Sequence, residues 1–360
     1  MTQQNIPTIG TDENAWRLDV PTLTVRIAEY PEELKPEIMW LAGFVREKCN
    51  RNLDLLVAEC RELKIDTDKG TWGKILRGRY QKDSEGKATK SPIMNLQKLL
   101  HAIKLLREQD ERRDLAGRVP FVMTPTAQTI YDFIDKKRAP DRVNKFGLLA
   151  GHTGTQKTAT CREYNREHNH GAGAMLEAPA NGSLSVFITD LAATFGCSRQ
   201  ANLERKTNTI YESVLAINYI IVENVQRLYQ EKEGASQRVF NFLQKLQDDK
   251  NPTIILTMTP YFAKLLREKL MSGYFEQFIG RAGGEKDILI LEEYPSDDDV
   301  LAIAKSFQLA DASKHLKELT KIVHEPGRIR VLFEALQEAK VQAGKKELTI
   351  NHIRAARGED

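Results

Sequence analysis

Apolar positions recur at two different spacings along the chain, and the change from one to the other divides it. From Pro36 to Glu111 they follow the i, i+3, i+4 spacing of amphipathic helices: Ile38, Leu41, Phe44 and Val45, then Leu53, Leu56, Val57 and Cys60, with later runs around Leu76 and Leu99. That spacing predicts an all-helical segment. Beyond about residue 118, short apolar runs alternate with helical stretches. Strands are expected at 145–150, 174–177, 218–222, 253–257 and 288–291, and helices at 126–137, from 157, at 183–195 and at 237–247. Such alternation points to a mostly parallel α/β sheet with helices on both faces. After Pro295 helical spacing returns at 300–307, 314–324, 329–343 and 350–357, which reads as a small lid. The acidic run Asp297-Asp298-Asp299 suits the first turn of a lid helix, where the macrodipole favours negative charge. Residues 1–40 carry Pro7, Pro21, Pro31 and Pro36 and one strand-like patch, Leu23 to Ile27, and are expected to be an arm. The expected domains are thus 1–40, a helical domain at 41–118, an α/β domain at 119–295 and a lid at 296–360.

Composition narrows this little. The 360 residues hold 53 Lys/Arg against 50 Asp/Glu, a balance of +3, which excludes a wholly basic nucleic-acid coat but not a local basic face. Cys49, Cys60, Cys161 and Cys197 show no metal-ligand spacing and are expected to be buried thiols. With no secretory leader pattern and no apolar run of roughly 18–20 residues, the reading expects a cytoplasmic protein without membrane contact. His168 and His170 lack a third ligand nearby and are expected to be solvent-exposed.

The candidate chemistry begins where the apolar run 145–150 ends. Gly151-His152-Thr153-Gly154-Thr155-Gln156-Lys157-Thr158 follows it directly and opens a helix. This is G-x-x-x-x-G-K-[ST] with Gln156 in the place before the lysine. The spacing suits phosphate because successive backbone N–H groups at a helix N-terminus curve around the anion. Lys157 would then reach the β/γ oxygens and the Thr158 hydroxyl would ligate Mg²⁺. Gln156 is tolerable there only if its backbone angle is open to a residue with a Cβ. About 65 residues on, Tyr219-Ile220-Ile221-Val222-Glu223 reads as a buried strand ending in an acid, where a Mg²⁺-organising carboxylate belongs.

On these residues the chain resembles the AAA+ ATPases, and within them the transposition regulators of the MuB, TniB, TnsC and IstB type, over roughly residues 45–356. The resemblance implies an α/β AAA+ P-loop domain with a C-terminal helical lid, taking ATP and Mg²⁺. It puts Glu223 on the Mg²⁺-organising position and Asn224 on the position of the water-activating glutamate. It also implies a polar contact from Thr259 to the γ-phosphate region, an arginine finger at Arg281 after Phe278-Ile279-Gly280, and a lid arginine in Pro326-Gly327-Arg328-Ile329-Arg330, with Arg330 the better match. An amide orients water but cannot take its proton, so Asn224 implies slow hydrolysis.

In the helical domain, residues 53–63 read as the first helix of a helix-turn-helix, with Ala58 facing the helix that follows. Residues 70–80 resemble a recognition helix. Positions 64–90 carry eight Lys/Arg and four Asp/Glu, a local balance of +4. Thr71, Lys74, Arg77 and Arg79 are the expected DNA contacts, with Lys82 on phosphate, while Trp72, Ile75 and Leu76 are expected in the core. The expected function is an ATP-dependent protein that oligomerises as a filament or ring on double-stranded DNA, with little sequence specificity, and directs a transposase. A nucleotide-stabilised scaffold and a helicase-loading ATPase are the alternatives.

Overall fold

The computed structural model describes residues 20–28, 30–49, 52–78, 92–115, 121–168, 173–215, 218–229, 237–268, 279–281, 283, 284, 287–344 and 346–358. They fall into two compact units, one comprising the chain up to Asp114 with Phe195–Thr209, the other Leu115–Thr194 with the chain from Ile210 onward. Among the described residues no helix is long and apolar enough to cross a membrane.

The first unit contains α1 (Val20–Arg26), α2 (Lys35–Glu47), α3 (Leu53–Glu62), α4 (Lys69–Leu76) and α5 (Pro92–Leu115). The patch expected as strand is instead helix α1. Leu23, Ile27, Tyr30 and Leu34 recur at near-helical spacing and all enter the core, so burial overrides the β preference of Val25 and Ile27. The N-terminal region from residue 20 is therefore part of the helical body. Asn52 caps α3 through Asp54 N, and Asp68 caps α4 through Thr71 N, both at 2.8 Å. Trp72, Ile75 and Leu76 are buried as expected, and Trp72 Nε1 donates to Thr67 Oγ1 at 3.0 Å. Ala58 is exposed rather than facing α4, because the buried stripe of α3 runs through Leu53, Leu56, Val57 and Cys60 on its other side. Gly78 stands at φ +69°, where an added Cβ would lie 1.9 Å from Arg26 O, so only glycine lets the end of α4 approach α1.

In the second unit five parallel strands form one sheet in the order β2-β3-β4-β1-β5. They are β1 (Phe146–Ala150), β2 (Gly173–Glu177), β3 (Tyr219–Glu223), β4 (Thr253–Met258) and β5 (Ile288–Ile290). β1, β3 and β4 are buried along their whole length, as the largely apolar runs FGLLA, YIIVE and TIILTM require of a sheet covered on both faces. The helices of this unit are α6 (Pro125–Arg138), α7 (Lys157–His168), α8 (Leu184–Thr194), α10 (Gln237–Lys250) and α11 (Pro260–Arg267), while α9 (Leu203–Ser213) belongs to the first unit up to Thr209 and to this one from Ile210. Two helices carry little signal in the sequence: α9 has few apolar positions, and the apolar residues of α11 follow a strand with one polar residue and a proline between. All four cysteines are free and buried.

Four further helices, Asp297–Ser306, Leu316–Val323, Ile329–Ala343 and Ile350–Arg357, share a core built on Val300, Leu319, Leu332 and Leu336. Asp299 does more here than complement a dipole. It is fully buried, accepts from Ser296 N and Oγ at 2.9 and 2.8 Å in a capping box, and accepts from Thr126 N and Oγ1 at 2.9 and 2.7 Å. One carboxylate thereby ties the first helix of this group to the start of α6. Burial pushes its pKa up, but these donors outweigh burial and hold it below the ordinary carboxylate value. Because the folded value is depressed, the stabilisation is present above the unfolded pKa of about 4 and lost as pH falls through the folded value. Asp299→Ala should lower unfolding free energy at neutral pH by about 2–3 kcal/mol, since it strands buried donors. In urea titrations the gap to wild type should narrow below about pH 4; a gap independent of pH would show that the charge contributes nothing.

Candidate functional site

Parallel strands bring their carboxyl ends to one edge of the sheet, and the predicted phosphate loop lies there, between β1 and α7. Two residues give the loop its curvature. Gly154 has φ +83° and Gln156 φ +57°, so the chain passes twice through the left-handed region within three residues. Gln156 meets the condition set by its Cβ: the αL region admits it, at a cost on the order of 1–2 kcal/mol. Its Oε1 accepts from Thr124 Oγ1 at 2.7 Å, and Thr124, itself buried, also caps α6 by accepting from Ala127 N at 3.1 Å. The side chain that replaces glycine is therefore anchored to a neighbouring helix start.

Lys157 opens α7. Its Nζ donates to Gly151 O at 2.5 Å and His152 O at 2.7 Å, and lies 3.3 Å from Thr155 Oγ1, which donates to His152 O at 2.8 Å. Burial pushes the Lys157 ammonium down to about 8, the charge of Glu223 works against that, and Arg328 adds to it.

Across the edge, Glu223 ends β3 with 4% exposure, and its carboxyl accepts a hydrogen bond from the side chain of Thr158. Burial raises its pKa, opposed by that bond and by Arg162, whose Nη2 is 4.0 Å from Oε2. Glu223 Oε1 is buried without a hydrogen-bond partner. An orphaned carboxylate oxygen beside a threonine hydroxyl offers oxygen donors that suit Mg²⁺, which takes one or two protein oxygens and completes its shell with phosphate and water. Thr158 and Glu223 would hold it. Among the described residues no group of three or more His, Cys, Asp and Glu gathers for a metal of another kind.

Asn224 also sits in the left-handed region, at φ 57°, ψ 44°. Its N–H donates to Thr257 Oγ1 at 3.3 Å, its Nδ2 donates to Glu177 Oε1 at 2.8 Å, and its Oδ1 accepts from Gln226 Nε2 at 3.3 Å. Thr257 and Glu177 were not singled out in the sequence. Both stand near strand ends next to β3, a position that becomes visible only once the strand order is known.

Thr259 follows β4 and caps α11, accepting from Phe262 N at 3.3 Å. Arg281 is paired in its own chain with Asp248 of α10; Phe278 lies outside the described residues. Of the two arginines expected in the lid, Arg328 rather than Arg330 reaches the loop. Arg328 Nη1 donates to Thr153 O at 3.0 Å and Nη2 pairs with Glu293 at 2.8 Å, while its guanidinium lies over the Tyr294 ring, 5.2 Å from the centroid. Arg330 is exposed on the first turn of its helix. The reason is backbone shape: Gly327 at φ +110° and Arg328 at φ +52° fold the turn inward ahead of the helix, where helical spacing no longer applies.

Lys74 and Arg77 are exposed at the carboxyl-terminal half of α4, and Thr71 Oγ1 is engaged by Asp68 Oδ2 at 2.7 Å. Arg79 and Lys82 lie outside the described residues, as does His170. His168 is half-buried rather than solvent-exposed, stacked on Tyr164 at 4.1 Å with Nδ1 2.9 Å from Tyr164 O.

Residues 141–266 match the family described as an AAA domain. The parallel sheet with flanking helices fits an α/β AAA+ P-loop domain of this kind. No curated protein matches the chain. Three solved structures are similar at low identity. One is the Orc1 protein of Aeropyrum pernix in complex with DNA, at 14% identity over 67% of this chain and 66% of that one, TM-score 0.46. Another is Drosophila ORC bound to DNA, at 13% over 66% and 63%, TM-score 0.42. The third is domain III of the Thermotoga maritima replication initiation protein DnaA, at 16% over 66% and 94%, TM-score 0.42. The chain spans slightly less than two thirds of the first two.

At Gly154 an added Cβ would stand 2.2 Å from Gly327 O, besides being strained at φ +83°. Gly154→Ala should therefore weaken binding of a fluorescent ATP analogue about tenfold or more, the equivalent of about 1.4 kcal/mol. Unchanged affinity in the titration would mean that the close approach of the Gly327 turn is dispensable.

Proposed function

We propose that this chain is an ATP-binding AAA+ protein that assembles as a homo-oligomer on double-stranded DNA, with low sequence specificity, and directs a transposase to target sites. The observation that carries the nucleotide part is the left-handed loop at the start of α7, with Lys157 folded over it, facing the buried, incompletely bonded carboxylate of Glu223 that the Thr158 side chain bonds at the carboxyl edge of the sheet. Lys157 binds the β/γ oxygens, Thr158 and Glu223 hold Mg²⁺, and that ion supplies charge neutralisation to the phosphates. Asn224 stands where a proton acceptor is needed and has only an amide to offer, so the ATP-bound form is long-lived. Arg328 occupies the lid position, reporting on the loop through Thr153 O. Arg281 acts as the finger into a neighbouring subunit once released from Asp248. Heterologous packing of that sort propagates into rings or open filaments.

The DNA part rests on the helical unit. Lys74 and Arg77 present charge from α4, within the basic stretch 64–90 that also holds Arg79 and Lys82. The transposase partner rests on the sequence resemblance.

The test is binding to random-sequence duplex DNA with ATP, with ADP and without nucleotide, read by electron microscopy with phosphate release measured in the same tubes. ATP-dependent assemblies with little phosphate release are expected, and Lys157→Ala should abolish them. Assembly that survives Lys157→Ala identifies a scaffold instead. Lys74→Glu and Arg77→Glu should each weaken binding alike on all sequences and lower the salt slope by about 1; loss confined to one sequence would identify base readout.

A further inference from the structure

We infer that Glu177, at the end of β2, is the proton acceptor behind the slow hydrolysis expected above, serving from the neighbouring strand because Asn224, at the water-activating position, cannot take a proton. The inference rests on the nucleotide-binding reading above and deepens it.

Three observations carry it. Glu177 and Glu223 are register partners at the ends of adjacent parallel strands, so their Cα atoms stand about 4.8 Å apart, the ordinary interstrand distance. Glu177 is also close enough for its charge to act on the Glu223 carboxyl. Second, the Asn224 amide donates to Glu177 Oε1 at 2.8 Å, which joins the residue at the water-activating position directly to a carboxylate. Third, Arg227 Nη1 contacts that same oxygen at 2.8 Å, and the Glu177 side chain is 52% exposed. Both contacts fall on Oε1, which anchors that oxygen, and the role of base is assigned to Oε2.

The two carboxylates at this edge divide the work by environment. Glu223 is buried beside Thr158 and suits a cation; Glu177 is open to water and suits a proton. Another acid at this edge, Glu293, follows β5 on the far side of β1 and is engaged by Arg328. In the step itself the water oxygen bonds to the γ-phosphorus, the bond from that phosphorus to the bridging oxygen breaks, and its electron pair leaves with ADP. The water proton passes to Glu177 Oε2. Asn224 orients the carboxylate and, through Oδ1, its neighbourhood.

The experiment compares wild type, Glu177→Gln and the exchange variant Glu177→Gln/Asn224→Asp as full chains on duplex DNA. Fluorescent-ATP affinity and phosphate release are measured for each. Gln keeps an acceptor oxygen for Asn224, and the exchange variant rebuilds the same hydrogen bond with amide and carboxylate reversed. Aspartate, like asparagine, tolerates the left-handed backbone at position 224. Glu177→Gln should bind ATP normally and release phosphate about 100-fold more slowly, as loss of a general base implies. The exchange variant should recover release. Release by Glu177→Gln at the wild-type rate would overturn the inference, and so would a loss that the exchange fails to recover or a wild type that binds ATP without measurable release. A wild type that does not bind ATP would fail the nucleotide reading itself, and the inference with it.

Discussion

The phosphate loop depends on a backbone constraint: between β1 and α7 the chain must pass through left-handed angles at both 154 and 156. Without those turns the N–H groups that open α7 would not converge, and Lys157 would not fold back over Gly151 and His152. Glycine meets the requirement at 154, where the Gly327 carbonyl leaves no room for a Cβ. At 156 a glutamine meets it, and its αL cost is offset by the bond to Thr124. That bond makes the loop's shape depend on the start of α6, which Asp299 in turn ties to the C-terminal helices. A hydrogen-bonded chain from Gln156 through Thr124 and α6 to Asp299 thus links the loop to the C-terminal helices, and Arg328 at Thr153 O closes the connection from the other side.

A second constraint acts on the opposite side of the site. Parallel pairing of β2 with β3 sets Glu177 beside Glu223, and the left-handed turn at Asn224 aims an amide at the first of them. The two acids thus stand on adjacent strands in very different surroundings, Glu223 buried and Glu177 open to water.

The sheet, the C-terminal helices and the loop were legible in the sequence because each rests on a local signal. The runs FGLLA, YIIVE and TIILTM are too apolar to be anything but buried, and G-x-x-x-x-x-K-T announces an anion-binding helix start. What was not legible depends on contacts distant in sequence. Helix α1 was read as strand because β-branched residues stand in it, yet its register is set by a core that includes Leu99 and Leu106. Arg328 was passed over for Arg330 because helical spacing was extended into a turn with positive φ at two successive residues. Glu177 carried no signal at all, since an acid after a short apolar run is commonplace until strand order sets it against β3.

The central claim is that Lys157, Thr158 and Glu223 form one nucleotide and Mg²⁺ site. Calorimetric titration of the full chain with ATP, with and without Mg²⁺ at matched ionic strength, tests it most directly. Mg²⁺ should strengthen ATP binding to the wild type by about tenfold or more, about 1.4 kcal/mol, and this gain should vanish in Glu223→Gln. An equal effect of Mg²⁺ on both proteins would contradict the assignment.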